Sequence, residues 1–226
     1  MKKVEQRREH RASERLPHAF GAITIGLDGL KHTSESVLVT IASLQPAFWR
    51  TCRTIANHTR LKMFGLLIEE PNQTVSAMAQ RLHKPLSLTS EYLQALEVQG
   101  LLTAHRTGRY VRYRLNLNSA PNGGHGSDLV AALRKTYQRE ANPVGTIFRL
   151  ATAFTHPRRL EIVRALHSGA RTVDQIQVVT RISGWALLRH LGKLEERGFV
   201  ISRRGLYTLV DRPDGLGRQL ARLASE

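Results

Sequence analysis

Leu93-Gln94-Ala95-Leu96-Glu97-Val98-Gln99-Gly100-Leu101-Leu102 is answered about 98 residues later by Leu191-Gly192-Lys193-Leu194-Glu195-Glu196-Arg197-Gly198-Phe199-Val200. Two leucines three apart, a glutamate, a glycine and an apolar pair recur in register. Leucines at that spacing share one helix face, and the glycine marks where the helix stops. Outward from these stretches, Thr74 matches Thr172, and Val75-Ser76-Ala77-Met78-Ala79 corresponds to Val173-Asp174-Gln175-Ile176. Further upstream, Ala56-Asn57-His58-Thr59-Arg60-Leu61-Lys62-Met63-Phe64 corresponds to Thr155-His156-Pro157-Arg158-Arg159-Leu160-Glu161-Ile162-Val163. Downstream, each copy ends in a short alternating strand, Val111-Arg112-Tyr113-Arg114-Leu115 and Leu206-Tyr207-Thr208-Leu209. Each copy reads as three helices and a β-hairpin. A period this long exceeds a solenoid unit and suits a duplicated small domain.

Local signals place the elements. Phe48, Cys52, Ile55 and Ala56 recur at helical spacing and predict an opening helix over 46–56, begun by Pro46. Leu61, Phe64, Leu67 and Ile68 give the next apolar face, closed by Pro71-Asn72. Thr74 has the position of an N-cap for a short helix ending at Leu82, and Pro85 bars its continuation. A helix from Ser87 to Gln99 follows, with Leu86, Thr89, Leu93 and Leu96 turned inward. The hairpin spans Leu101 to Leu117 and turns near Thr107-Gly108. Alternation puts Val111, Tyr113 and Leu115 on one face and Tyr110, Arg112 and Arg114 on the other. Residues 121–126, Pro-Asn-Gly-Gly-His-Gly, read as a linker, and Leu129, Leu133 and Tyr137 mark a helix over 128–140. Pro143 opens the second copy, Thr172 and Gln175 have capping-box spacing, and Gly215 to Ala224 forms a last amphipathic helix. Residues 1–18 carry charges of both signs and read as an arm; within 20–45, Val37 to Leu44 reads as either strand or helix. The expected organisation is an arm over 1–35, a first domain over 36–118, a linker and connecting helix over 119–142, and a second domain over 143–226.

Asn-x-Thr-Arg-Leu, the short helix to Leu82, Leu-x-x-Leu-x-x-x-Gly-Leu-Leu and Arg-x-Gly-Arg before a tyrosine-containing strand resemble the ArsR-type winged-helix transcriptional regulators. The resemblance covers roughly 46–115 closely and 144–210 more loosely. It implies a mainly α fold with small β-hairpin wings, here as two tandem winged helix-turn-helix domains. It also implies a role in sequence-specific binding of double-stranded DNA, with recognition by symmetric dimers. The duplication offers a second route, in which one chain carries both reading heads as a pseudo-dimer. The helices over 46–56, 128–140, 144–154 and 215–224 are then the expected shared interface, either within one chain or in a homodimer.

Charge supports a polyanionic partner. The chain of 226 residues carries 34 Lys and Arg against 18 acidic residues, a net charge of +16. Most of the excess lies within the two copies, +6 over 36–118 and +7 over 143–226. Clustered Lys and Arg displace counterions from phosphates. The single cysteine, Cys52, cannot form an intramolecular disulfide or a multi-thiolate metal site. No apolar run approaches the roughly 20 residues that span a bilayer, and the polar start lacks a signal-peptide core. The expectation is a cytoplasmic protein without membrane contact. Dinucleotide fingerprint, P-loop, nucleophile elbow and Cys-x-x-Cys are all missing from the sequence, so no enzyme activity and no cofactor are expected.

The second helix of a helix-turn-helix lies in the major groove. In the first copy it offers Ser87, Ser90, Glu91 and Gln94 on its outer face. Serine and glutamine are adaptable partners for base edges. Glu91 stands where the family usually has arginine; it can accept from cytosine N4, but it repels phosphate. The hairpin carries Arg106, Arg109, Arg112 and Arg114, which building a hairpin does not require and which suit phosphates or a narrow minor groove. In the second copy Arg189 and His190 match the family's Arg-His-Leu, and Arg203 and Arg204 mark a wing about four residues shorter. Trp185 and Leu188 on the same outer face leave that helix either a DNA role or a packing role. The paired cysteines and terminal-helix Asp/His sites through which family members sense metals are not in this sequence, so no such metal site is expected. A small-molecule effector cannot be read from the sequence. Two other functions fit the pattern: a protein-interaction scaffold with Trp185 and Leu188 at the contact, and binding of structured RNA.

Overall fold

Asn57 opens the first long helix. Its side chain accepts a hydrogen bond from the Arg60 amide at 3.0 Å, satisfying one of the amides that a helix N-terminus leaves unpaired. The computed structural model describes residues 47–117 and 125–226. The arm, the 20–45 segment, Pro46 and residues 118–124 of the linker lie outside the described residues.

Helix α1, Phe48–Ile55, precedes α2, His58–Glu69. The two-residue strand β1, Gln73–Thr74, leads into α3, Val75–Arg81, and Thr74 caps it by accepting from the Ala77 amide at 3.2 Å. Helix α4, Leu86–Val98, ends at Gly100, whose φ of +71° is the left-handed turn that glycine makes at no steric cost. Strands β2, Leu102–Thr107, and β3, Tyr110–Leu115, form the hairpin around Gly108 and Arg109. The sheet order is β1-β3-β2, so the hairpin gains a third strand that alternation alone did not reveal.

The connecting helix α5, His125–Arg139, begins earlier than expected, and its first two residues come from the stretch read as linker. The same order of elements then returns. Helix α6, Pro143–Ala151, and a 3-10 turn, Thr152–Phe154, precede α7, Pro157–His167. Helix α8, Val173–Thr180, has both hydrogen bonds of the Thr172/Gln175 capping box. It is followed by α9, Gly184–Glu196, by strands β4, Val200–Arg203, and β5, Leu206–Leu209, and by α10, Gly215–Ser225. In place of β1 the second segment has a single antiparallel bridge, Arg171 to Tyr207.

The expected inward faces are buried at Leu61, Phe64, Leu67, Thr89, Leu93 and Leu96. Leu86 is a correction: it is 56% exposed, because α4 starts at that residue, before the helix reaches the core. Both helical segments share one apolar core, with Phe48 6.1 Å from Phe154 between ring centroids. Helix α5 supplies Leu129, Val130 and Leu133, all fully buried, and packs against α10 and α6. From the same helix Tyr137 donates to the Leu61 carbonyl at 2.6 Å and stacks near Phe64. The shared core therefore uses the four helices expected from their apolar stripes. It also uses α2, which the sequence reading left out.

Candidate nucleic-acid interface

Helices α3 and α4 pack on each other, and β2–β3 stand beside them. Pro85 precedes α4 and offers no capping side chain, so no side chain accepts from the first-turn amides of that helix. An uncapped helix N-terminus of this kind favours anions such as phosphate. Ser87, Glu91 and Gln94 are exposed and Ser90 half-buried, at the spacing of one helix face. The Gln94 amide donates to the Ser90 hydroxyl at 3.2 Å, so these two polar groups present as a pair. A cleft of about 430 Å³ runs from this face to the hairpin tip; Ser76, Ser87, Ser90, Arg109 and Tyr110 line it.

All four hairpin arginines are exposed, and among the described residues none forms an ion pair with a carboxylate. Their placement follows the register of the hairpin. Arg109 sits at the tip, its guanidinium 5.0 Å from the Tyr110 ring centroid and donating to the Tyr110 hydroxyl at 2.8 Å. Arg112 and Arg114 share one face of the hairpin; Arg112 donates to the Asn72 carbonyl at 3.1 Å and Arg114 to the Thr103 hydroxyl at 3.2 Å. Arg106 pairs across the hairpin with Val111 and so lies on the opposite face, with Tyr113. The tip and one face thus carry three of the four charges.

In the second segment, on α9, Arg189 is exposed and lies over the Trp185 ring at 5.2 Å. His190 is a correction. It is only 5% exposed and stacks on His156 at 4.6 Å, so it forms part of the α7–α9 packing and not of the outer face. Burial, then the nearby His156, Arg159 and Arg189, push its pKa down to about 4. Arg203 and Arg204 are exposed at the shorter hairpin tip. Positive φ at Arg204 and Gly205 (+52° and +78°) gives the two-residue turn that such a tight hairpin needs.

Cys52 is fully buried, and its thiol is pushed well above the ordinary range by desolvation. Among the described residues no three His, Cys, Asp or Glu side chains converge as a metal site, and no helix is long and apolar enough to cross a membrane.

Two helices, a hairpin wing and a cationic rim define a winged helix-turn-helix. Residues 156–202 match the family model described as bacterial regulatory protein, arsR family. This span runs from the N-cap of α7 into β4, so the second segment carries a helix-turn-helix like that of a DNA-binding regulatory family. No curated protein and no solved structure matches the chain.

Proposed function

We propose that this protein is a sequence-specific, double-stranded DNA-binding transcriptional regulator of ArsR-like type, without catalysis and without a thiolate metal-sensing site. Its two helical segments are two tandem winged helix-turn-helix domains, 36–118 and 143–226, products of one duplication, joined through 119–142 and packed as an intramolecular pseudo-dimer. Base reading falls to Ser87, Ser90, Glu91 and Gln94, and phosphate gripping to Arg109, Arg112 and Arg114, with Arg106 on the far face of the wing. Arg189, Arg203 and Arg204 add positive charge from the second domain.

The observation that carries this reading is the first wing. Exposed Arg109, without a carboxylate partner among the described residues, stands across one cleft from an uncapped helix whose outer face carries Ser87, Ser90, Glu91 and Gln94. That combination suits phosphate on one side and base edges on the other. The test compares affinity for random duplex DNA, selected duplex DNA and duplex RNA at several salt concentrations. A selected duplex that binds more tightly than random duplex, with a steep salt dependence, is expected. Equal binding of RNA, or an affinity flat in salt, would exclude the proposal. The scaffold reading is favoured by one observation, the exposure of Trp185 and Leu188, and it concerns the second domain alone.

A further inference from the structure

Val178, Val179, Trp185 and Leu188 are 78, 56, 76 and 50% exposed, and all four belong to α8 and α9. At the offset that superimposes the two segments, their counterparts are Gln80, Arg81, Ser87 and Ser90. Every one of these apolar residues therefore replaces a polar one at the corresponding place in the first helix-turn-helix. Isolated exposed apolar residues are ordinary on a protein surface; four on one motif, each at a site where the sister motif is polar, are not. Valine and leucine cannot hydrogen-bond a base edge or a phosphate, so this face offers less for direct readout than its polar counterpart.

The border of the patch narrows its partner. Arg181 is exposed at the end of α8, and Arg189 lies against Trp185 with its charge outward. On α9 the two glutamates lie at the far end, where Glu196 pairs with Lys193 and Glu195 accepts from the Ser202 amide. Asp174, the acidic residue of α8, lies in its first turn, four residues before Val178. A second copy of this chain fits poorly, because 143–226 carries fourteen Lys and Arg against seven acidic residues and two such surfaces repel. Helix geometry places Trp185 and Leu188 on one face, and Gly192 one turn further leaves that face open, with nothing near the position of a Cβ. We propose that this face docks an acidic amphipathic helix of another protein, its apolar stripe on Val178, Val179, Trp185 and Leu188 and its carboxylates on Arg181 and Arg189. The second helix-turn-helix is then a protein-docking module carried beside a DNA-reading one.

The test uses the full chain with Trp49→Phe, which leaves Trp185 as the sole tryptophan. The probe is a synthetic helical peptide with leucines at i, i+3, i+4 and i+7 flanked by glutamates, and the control carries lysines in place of the glutamates. The acidic peptide is expected to shift Trp185 emission to the blue and to bind at least tenfold more tightly than the control by fluorescence anisotropy. The triple variant V178Q/W185S/L188S, which imports the first motif's residues, is expected to lose peptide binding while keeping the parent's circular dichroism and melting profile. Its affinity for duplex DNA is expected to stay unchanged, whereas R109A/R112A loses DNA and keeps the peptide, so failure of the docking proposal and failure of the DNA reading show separately. Equal binding of both peptides, or of neither, overturns the proposal. So does a Trp185 shift caused by duplex DNA, by raising the protein concentration alone, or by removing residues 1–46; these outcomes identify DNA, a second copy or the chain's own start as the occupant.

Discussion

Arg60 and Arg159 turn inward. Arg60 Nε donates to the Thr54 carbonyl at 2.6 Å, and Arg159 Nε donates to the Ala153 carbonyl at 2.5 Å. In both places the guanidinium satisfies carbonyls at the end of the preceding helix, which no intrahelical amide reaches. Arg171 does the same for the Ala165 carbonyl, and Arg212 for those of Arg197 and Gly198. Part of the positive excess is thus structural, and net charge alone overstates the interface. Replacing Arg159 with alanine is expected to cost stability, about 1–3 kcal/mol in chemical denaturation. Replacing Arg109 and Arg112 with alanine is expected to leave stability unchanged. It should weaken all duplex sequences alike and lower the salt slope of log K by about 2 in a titration series. His190 gives a pH test. Its folded pKa of about 4 lies below the ordinary 6.5, so between these values the unfolded chain holds a proton that the folded one excludes. Its contribution to stability is complete above pH 6.5 and is lost as pH falls toward 4. Urea midpoints from pH 7 to pH 4.5 should fall less steeply in His190→Asn than in the parent.

At the scale of elements, α5 joins the two segments, and it approaches α2 closely at a glycine. A Cβ on Gly65 of α2 would stand 2.8 Å from Cε1 of Tyr137, and that ring is held in place by its hydrogen bond to the Leu61 carbonyl. Alanine would gain up to about 1 kcal/mol of helix propensity there. Displacing this half-buried, hydrogen-bonded ring costs more, about 1–3 kcal/mol. Gly65→Ala is therefore expected to lower the melting temperature, and Gly65→Ala with Tyr137→Leu to recover part of the loss. The periodicity Leu129, Leu133, Tyr137 made α5 legible as an amphipathic helix, and Leu129 and Leu133 are fully buried. That it would press on α2 was not legible, because the partner lies more than 70 residues away in sequence and Gly65 interrupts no local pattern. The first wing has the alternation expected of it, but its strands run from Leu102 to Leu115 within the expected Leu101 to Leu117. Its third strand was missed because two residues, Gln73 and Thr74, are too few to show a period.

For the molecule as a whole, the described residues form one compact unit, and the core that spans both segments has a measurable consequence. Chain cleavage at a protease site engineered at Gly123-Gly124 is expected to leave the halves associated in size-exclusion chromatography. Separation pulls α1 and α2 away from α6 and the 3-10 turn and parts the buried rings of Phe48 and Phe154. Exposed apolar surface costs about 25 cal/mol per Å². Two halves that elute apart as stable monomers would rule out the shared core.

The sequence by itself determined what depends on near neighbours. Caps at Thr74 and Thr172, the left-handed stops at Gly100 and Gly198, the recurrence of both at one offset, and the hairpin alternation follow from residues a few positions apart. Tertiary structure decided what depends on distant partners. It buried His190 against His156 although the local pattern put it beside Arg189, and it left Leu86 in solvent although its spacing matched the core face. It also set Arg106 across the wing from Arg112 and Arg114. Burial is the sum of contacts from many elements, whereas a cap or a glycine turn is satisfied within one, and that difference divides what could be read from what had to be seen.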